Sequence, residues 1–382
     1  MSILLFVKED GALEKRCSLL PDNVKFYKHL GATVKIESGL GLGIGYSDED
    51  YIHMGAEIFK DRSRAFSDAD AVMSVRALSL DDMNKLPSTA CTVSFLDPFN
   101  NPQLVKSLLD KGISTLSMEM IPRSTRCQKM DALSSQASLA GYVMALKAMS
   151  KLNKTLPMMM TPAGTLKPAK VFVIGAGVAG LQAIATAKRM GASVLAYDTR
   201  EEVAQQVESL GAKFLNIDLG QTGSTDQGYA KELTQQQLLL QQQAQADCIA
   251  DADIVITTAQ LFGRKPPVLV TNEVLTRMKP GSVVVDMAAQ DGGNVEASSA
   301  GKCVDFQGVT IVGTGDWAGE VALDASQMYA NNLQALIGDI WDKEASSLSV
   351  NPAHEVLANA LVTHNGELVN SIIKAQFNKE AA

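Results

Sequence analysis

The chain has 382 residues, of which 46% are hydrophobic and 20% are charged, as is typical of a folded globular protein of about two domains. Its formal net charge of −8 and its lack of a basic run argue against electrostatic binding of nucleic acid or of an anionic membrane surface. The apolar run at residues 3–7 is too short for a signal peptide, and no window has the roughly 18 uncharged apolar residues of a membrane-spanning helix, so we expect no direct membrane insertion. The five cysteines are odd in number and lack CxxC spacing, which predicts reduced thiols in a cytosolic compartment and no metal site.

Short apolar runs alternate with helical patterns through the first third of the chain. Helices are predicted at residues 21–30 and 102–109, and strands at residues 3–7, 33–37, 71–75, 92–96 and 113–117. This alternation predicts βαβ units and a parallel sheet, and therefore the α/β fold class.

A polar segment follows at residues 119–136, and a helix is predicted from about Ala137 to Lys151. Its Arg, Gln, Asp and Ser side chains would lie at a cleft between two α/β domains, where ligands of such proteins bind. The same residue types equally fit a helix cap with surface ion pairs. The residues alone leave both interpretations open.

Residues 171–198 carry the clearest motif of the chain. A β-branched run ends at Gly175-Ala176-Gly177-Val178-Ala179-Gly180, the GxGxxG spacing of a dinucleotide-binding turn between a strand and a helix. The first glycine allows a tight turn, the second lets the backbone approach a pyrophosphate, and the third lets the helix pack on the sheet. The N-terminal N–H groups of that helix then bind phosphate.

A second strand at residues 193–197 ends at Asp198, about 20 residues after the first glycine. A carboxylate there accepts hydrogen bonds from ribose hydroxyls and repels a 2′-phosphate, which favours NAD over NADP. Thr199 and Arg200 follow directly and are assigned to the same site. Arg200 complicates the choice, because an arginine near the ribose can admit a 2′-phosphate.

The rest of the chain completes the two domains. A mobile loop is predicted at residues 219–229. Strands are predicted at residues 252–259, 281–287 and 309–312. Ala259 and Gln260 are expected at a strand end near the cofactor. A long helix over residues 321–340 would return the chain to the first domain. We therefore expect two Rossmann-like parallel-sheet domains, separated by a cleft and joined by long helices: residues 1–136 with 330–382, and residues 137–329.

Four ordered blocks resemble the NAD(H)-binding component of proton-translocating nicotinamide nucleotide transhydrogenase, the alpha-subunit type made as a separate chain. They are MEMIPRSTRCQKMDALSSQASLAGY (118–142), PMMMTPAGT (157–165), VIGAGVAGLQAIATAKRMGA (173–192) and QGYAKE (227–232). The resemblance covers nearly the whole chain. It implies direct hydride transfer from C4 of NADH bound here to C4 of NADP⁺ on a partner, with membrane-spanning and NADP-binding components as partners, a homodimer, and a peripheral location at the cytoplasmic membrane.

The resemblance also assigns site residues. Arg123, Asp131 and Ser134 would hold the nicotinamide carboxamide and ribose region, Gln128 would reach towards the second nicotinamide, and Tyr229, next to Gly228, would close over the nucleotide. Gln227 stands where the family usually has glycine, and residues 74–101 follow the family only loosely.

The nearest rival is alanine dehydrogenase, which is similar in build. Arg16 can be matched to its substrate-binding arginine, but Ser74 and Asp97 stand at its lysine and catalytic histidine positions, so imine reduction would lack its proton donor. Arg16 is then either a relic of that site or one member of a structural ion pair, and we favour the ion pair. A non-catalytic NAD-binding regulator is the alternative from another class.

Overall fold

The computed structural model describes residues 2–12, 14–217, 234–260 and 263–380. Its helices are α1 (Pro21–His29), α2 (Asp48–His53), α3 (Arg62–Ser67), α4 (Leu80–Met83), α5 (Pro102–Lys111), α6 (Ala132–Lys151), α7 (Val178–Arg189), α8 (Ala204–Ser209), α9 (Gln235–Asp251), α10 (Asn272–Thr276), α11 (Ala322–Asp339), α12 (Leu357–Ala360) and α13 (Ser371–Glu380). Among these described residues, none of the helices is both long and apolar enough to span a membrane.

The strands are β1 (Ile3–Phe6), β2 (Thr33–Glu37), β3 (Glu57–Phe59), β4 (Ala71–Arg76), β5 (Cys91–Phe95), β6 (Ser114–Ser117), β7 (Met159–Thr161), β8 (Gly164–Leu166), β9 (Lys170–Ile174), β10 (Ser193–Tyr197), β11 (Lys213–Phe214), β12 (Ile254–Thr257), β13 (Val283–Asp286), β14 (Lys302–Phe306), β15 (Val309–Gly313), β16 (Trp341–Asp342), β17 (Ser347–Leu348), β18 (Leu361–His364) and β19 (Glu367–Leu368).

The chain divides into two compact units. Unit 1 comprises Met1–Gln136 and Val321–Ala382, and unit 2 comprises Ala137–Glu320. The first division falls inside α6. The second lies at Val321, ahead of the position 330 expected from the sequence.

The sheet of unit 1 has the strand order β19-β18-β6-β5-β4-β1-β2-β3. Strands β1 to β6 are parallel to their neighbours, whereas β18 and β19 add an antiparallel edge. Helix α11 buries Tyr329, Leu333, Leu336 and Ile337, the spacing of one helical face, in the same core as β1 and β4. The neighbouring positions of β1 and β4 make their carboxyl ends the switch point of this sheet.

The sheet of unit 2 has the order β11-β10-β9-β12-β13-β15-β14. Its first six strands are parallel and follow the 3-2-1-4-5-6 order of a Rossmann fold, with β14 as an antiparallel edge. Phe172, Val255, Val284 and Ile311 are fully or almost fully buried in its core. The predicted α/β class with Rossmann-like parallel sheets is confirmed.

Two features differ from the expectations. Helix α6 begins at Ala132 rather than near Ala137, so Ser134 lies in its first turn and not in the preceding loop. Residues 157–166, which had no strand prediction, contain an antiparallel β7–β8 hairpin. Met158, Met160 and Leu166 of this segment are each more than half exposed, so hydrophobic alternation gave no signal there.

Candidate functional site: a dinucleotide turn and a capped polar loop

The turn between β9 and α7 requires glycine at its first position. Gly175 has φ +100°, in the region that side chains disfavour. A Cβ atom built on Gly175 would lie 2.4 Å from Thr258 Oγ1, and this hydroxyl donates a hydrogen bond of 3.1 Å to the Gly175 carbonyl. The turn is therefore packed against the residue that follows β12, at the switch point of the sheet.

The other two glycines of the motif have different surroundings. A Cβ atom on Gly180 would lie 1.9 Å from the Gly175 carbonyl oxygen, so α7 approaches the turn too closely for any side chain there. At Gly177 the nearest atom to such a Cβ would be Arg200 Nη2, at 4.0 Å. Gly177 thus leaves space beside the turn, as a bound pyrophosphate needs.

Gly177 is also the N-cap residue of α7, and it has no side chain with which to cap the first turn. Unpaired N–H groups at a helix N-terminus, together with the helix dipole, favour an anion. Val178 is 44% exposed, whereas Ala176, Ala179 and Gly180 are buried. The start of α7 is therefore accessible at half-buried Gly177 and exposed Val178, which is compatible with a diphosphate at this helix end.

Asp198 follows β10 directly, and its carboxylate is 7% exposed. It accepts a hydrogen bond of 2.7 Å from the Ala176 N–H, which ties it to the phosphate-binding turn. Arg200 pairs with the same carboxylate through Nη2 at 2.9 Å, and these hydrogen bonds raise the pKa of the guanidinium. Thr199 lies between them and is half-buried.

Ala259 and Gln260 follow β12 and are held by residues of the next loop. Asn294 donates through Nδ2 to the Ala259 carbonyl at 2.9 Å, and Gln260 Nε2 donates to Asp291 at 2.7 Å. Asp286, which is fully buried at the end of β13, accepts hydrogen bonds from the N–H groups of Ala288, Asn294 and Val295. This loop therefore fixes the position of the β12 end.

Thr258 lies in the segment 257–260 that was expected at a strand end near the cofactor, whereas Asp286 and Asn294 were not assigned to the site from the sequence. Their sequence signals were weak: Asp286 lies near the end of a predicted strand, and Asn294 follows the Gly292-Gly293 pair. Polar residues in loops are ordinarily predicted to be exposed. Their importance lies in burial, which the sequence does not display.

The polar loop of unit 1 ends in a helix cap. Asp131 precedes α6 and accepts two hydrogen bonds from Ser134, from its N–H at 2.9 Å and from its hydroxyl at 2.6 Å. This is the side-chain capping that stabilises helix N-termini. Asp131 and Ser134 are therefore brought together, and both are half-buried.

The same loop is firmly anchored to unit 1. Cys127 and Met130 are buried in the core, Asn332 of α11 donates to the Lys129 carbonyl at 2.8 Å, and Arg126 pairs with Asp339 at 2.9 Å. Arg123 and Gln128 lie in this loop with exposed side chains. The loop is thus a fixed platform with an exposed guanidinium and an exposed amide. Tyr229, Gly228 and Gln227 lie outside the described residues.

An ion-pair cluster lies at the carboxyl ends of β1 and β4, with Glu14 and Arg16 buried and the Arg76 side chain half exposed. Arg16 is 8% exposed and donates to Glu14 through Nε at 2.8 Å and Nη2 at 2.6 Å, and to Gln136 through Nη1 at 2.8 Å. Arg76 Nε donates to the same Glu14 at 2.9 Å. Burial alone would raise the pKa of Glu14, but the hydrogen bonds and charge of Arg16 outweigh it and lower that pKa. Arg16 thus forms the structural ion pair that we expected.

Ser74 and Asp97, which the sequence analysis matched to the lysine and histidine positions of alanine dehydrogenase, are held by local hydrogen bonds. The Ser74 hydroxyl donates to the Arg76 carbonyl at 2.6 Å, and Tyr329 donates to the Ser74 carbonyl at 2.7 Å. Asp97 accepts hydrogen bonds from Asn100 and has a φ of +49°. The two positions therefore carry a hydroxyl and a carboxylate, each engaged in local hydrogen bonds.

Two family models match the chain in tandem. Residues 5–140 match "Alanine dehydrogenase/PNT, N-terminal domain", and residues 144–371 match "Alanine dehydrogenase/PNT, C-terminal domain". The chain belongs to the alanine dehydrogenase/PNT family.

Several relatives within the alanine dehydrogenase/PNT family resemble this chain along most of its length. It is 38% identical over 379 residues to an NAD(P) transhydrogenase subunit alpha chain of Rickettsia prowazekii, covering 98% of each chain. A crystal structure of transhydrogenase from Sinorhizobium meliloti is 40% identical, with a TM-score of 0.83 over 97% of this chain and 100% of that one. Alanine dehydrogenase of Bacillus subtilis is 28% identical over 289 residues, covering 76% of this chain and 71% of its own.

Proposed function

We propose that this chain is the NAD(H)-binding component of a proton-translocating transhydrogenase, in which hydride passes directly between NAD(H) held here and NADP(H) held by a partner. The observation that carries the proposal is the β9–α7 turn, open at Gly177 and tied through Ala176 to the Asp198 carboxylate. The full-length similarity to transhydrogenase alpha subunits supports the same reaction class.

Each part of unit 2 has a role in this proposal. The N–H groups at Gly177, Val178, Ala179 and Gly180 bind the pyrophosphate, and Asp198 selects an unphosphorylated adenosine ribose. Ala259 and Gln260, held by Asn294 and Asp291, border the nucleotide at the end of β12. These residues bind and orient the nucleotide and do not transfer protons.

We further propose that Arg123, Asp131 and Ser134 hold the nicotinamide carboxamide and ribose region. Asp131 and Ser134 already form a hydrogen-bonded pair on the first turn of α6, so their polar groups are oriented before a ligand arrives. The exposed Gln128 amide reaches towards the second nicotinamide. Tyr229, beside Gly228, closes over the nucleotide.

A bound nicotinamide supplies or accepts a hydride at its C4 atom. Because that transfer moves no proton at the reacting carbons, the protein's work is to hold two rings face to face and to exclude water. Arg123, Gln128, Asp131 and Ser134 provide donors and acceptors for positioning, and none of them is needed as a general acid or base. Alanine oxidation, in contrast, needs proton transfer, and the groups present at Ser74 and Asp97 do not favour it.

The proposal includes partners. The NADP(H) site and the proton path belong to other components, one of them membrane-spanning, and this chain associates with the cytoplasmic membrane through them. We also propose a homodimer, which is supported by the exposed apolar side chains of Met158, Met160 and Leu166 on the β7–β8 hairpin segment.

Reconstitution tests the function. The purified chain is mixed with a separately produced NADP-binding component, and the reduction of an NAD analogue by NADPH is followed by absorbance. We expect turnover that requires both proteins and falls in a Ser134→Ala variant. A silent mixture in which binding assays find both nucleotides bound would contradict the proposal, and turnover of alanine with NAD⁺ by this chain alone would favour the rival enzyme.

A further inference from the structure

The acceptor positions of the Asp198 carboxylate are all met by donors from the chain itself. Oδ1 accepts hydrogen bonds from the Arg200 N–H and from Arg200 Nε, each at 2.9 Å. Oδ2 accepts from the Ala176 N–H at 2.7 Å and from Arg200 Nη2 at 2.9 Å. Because an ionised carboxylate has about four acceptor positions, the group is saturated.

This saturation matters for ribose binding. A 2′- or 3′-hydroxyl that donates to Asp198 must displace one of the present donors. The two backbone N–H groups are fixed by the turns that contain them, whereas Nε and Nη2 belong to a side chain that can rotate away. Arg200 is therefore the group that must yield.

The Arg200 guanidinium also lies beside the phosphate-binding turn. Its Nη2 is the nearest atom to the space above Gly177, and its side chain is 16% exposed while that of Asp198 is 7% exposed. A bidentate pair between planar groups in such partial burial is stronger than a surface ion pair. The free energy needed to break the Arg200–Asp198 pair therefore reduces the affinity that the nucleotide gains from its ribose hydrogen bonds.

We propose that Arg200 is a specificity-determining residue that competes with the adenosine ribose for Asp198. This competition weakens NADH binding and reduces the ratio of the NADPH dissociation constant to the NADH dissociation constant. This inference rests on the proposed function of unit 2 as the NAD(H) site. The pairing partly neutralises the carboxylate that would repel a 2′-phosphate, and a displaced guanidinium is a phosphate partner in its own right. Both effects favour NADPH relative to NADH.

Arg200→Met tests the proposal, because methionine keeps part of the apolar stem and removes every side-chain donor. Dissociation constants for NADH and NADPH are measured by nucleotide fluorescence on the full chain. We expect NADH to bind about tenfold more tightly, since charge-assisted hydrogen bonds no longer have to be broken, and NADPH to bind more weakly. The same substitution should increase the affinity for an NADH analogue with 2′-deoxyadenosine by less than it increases the affinity for NADH.

Two further variants make the result decisive. Arg277→Met removes an arginine of the same unit that pairs with exposed Asp247, and it should leave both constants unchanged. Arg200→Lys keeps the charge but loses the bidentate geometry, so it should give a smaller gain for NADH, and it carries the test if the methionine variant does not fold. Unchanged or weaker NADH binding in the folded Arg200 variants would overturn the competition while leaving the NAD(H) site intact. A wild-type chain that does not bind NADH would overturn both.

Discussion

The carboxylate of Asp131 accepts hydrogen bonds from both the N–H and the hydroxyl of Ser134, at 2.9 and 2.6 Å. The pair therefore caps α6 and also belongs to the proposed nicotinamide-binding group. The two roles can be separated, because the backbone bond alone is sufficient to cap the helix.

Ser134→Ala keeps the backbone cap, so we expect little change in stability but a fall in hydride transfer. Asp131→Ala removes the cap and should lower the free energy of unfolding by about 1 kcal/mol as well as impairing transfer. Urea unfolding and the reconstituted assay measure the two effects. Equal loss of stability in both variants would show that the hydroxyl is mainly structural.

The glycines at 177 and 180 should differ sharply on substitution by alanine. A Cβ at Gly180 would lie 1.9 Å from a backbone oxygen, so Gly180→Ala should destabilise the protein by about 3 kcal/mol through overpacking. Gly177 has φ −77° and open space beside it, so Gly177→Ala should fold normally but bind NADH more weakly. Thermal unfolding and NADH titration distinguish these outcomes. NADH affinity at the wild-type level in Gly177→Ala would remove that residue from the pyrophosphate site.

Wild-type protein should bind NADH much more tightly than NADPH, because the role we propose for Asp198 is to accept hydrogen bonds from ribose hydroxyls and to repel a 2′-phosphate. Asp198→Ala should weaken NADH binding by about tenfold or more, as expected for hydrogen bonds to a charged group, and should improve NADPH binding by leaving Arg200 without its carboxylate partner. The ratio of the two dissociation constants is the measurement. A ratio that stays the same in the variant, or a wild type that does not discriminate, would refute the role of Asp198.

Glu9 predicts a pH dependence of stability in unit 1. Burial raises the pKa of its carboxyl from 4.5 to about 7. Repulsion from Glu14 also raises this pKa, whereas the hydrogen bond from the Val75 N–H lowers it. A carboxyl whose pKa is raised in the folded state favours folding fully below pH 4.5, and this contribution is lost as the pH rises through 7. Glu9→Gln keeps the acceptor for Val75 but cannot ionise. Between pH 5 and pH 8 the wild type should therefore lose about 2.5 kcal/mol of stability relative to the variant, measured by urea unfolding. Parallel pH profiles would contradict this assignment.

The hairpin offers a test of self-association. Met160 is 73% exposed, and Met160→Glu places a charge on an apolar surface segment, so it should shift a homodimer towards monomer in analytical ultracentrifugation. Leu80→Glu is the matched control, because Leu80 is 46% exposed and lies outside the hairpin. A wild type that sediments as a monomer would refute the homodimer.

The sequence predicted those regions of the fold in which buried apolar runs end at glycine residues. Strands β9 and β10 and helix α7 lie as the GxGxxG motif and its flanking runs indicated. The start of α6 was misplaced because Ala132 to Gln136 are mostly small and polar and show no apolar periodicity. In the structure Asp131 caps this first turn by accepting hydrogen bonds from Ser134. The β7–β8 hairpin was missed because its side chains are exposed, so no core-facing alternation exists.

The sequence assigned residues to the proposed site by their chemical type but could not predict which residues pair with them. Asp198 and Arg200 were both assigned to the ribose region. Their pairing depends on the rotamer of the long Arg200 side chain, and the sequence does not show which of its many rotamers is adopted. Asp286 and Asn294 could not be singled out, because a buried polar residue is identified by its neighbours and not by its own identity.

The contact between Gly180 and the Gly175 carbonyl also bears on how the glycine motif is interpreted in other chains. Two of its three glycines are required by the turn and by helix packing, so descendants that had lost nucleotide binding would still retain them in order to fold. Only the middle glycine is free to drift once the ligand is gone. In a set of related sequences, variation at the position of Gly177 against a constant Gly175 and Gly180 would therefore mark the members that keep the scaffold without its ligand.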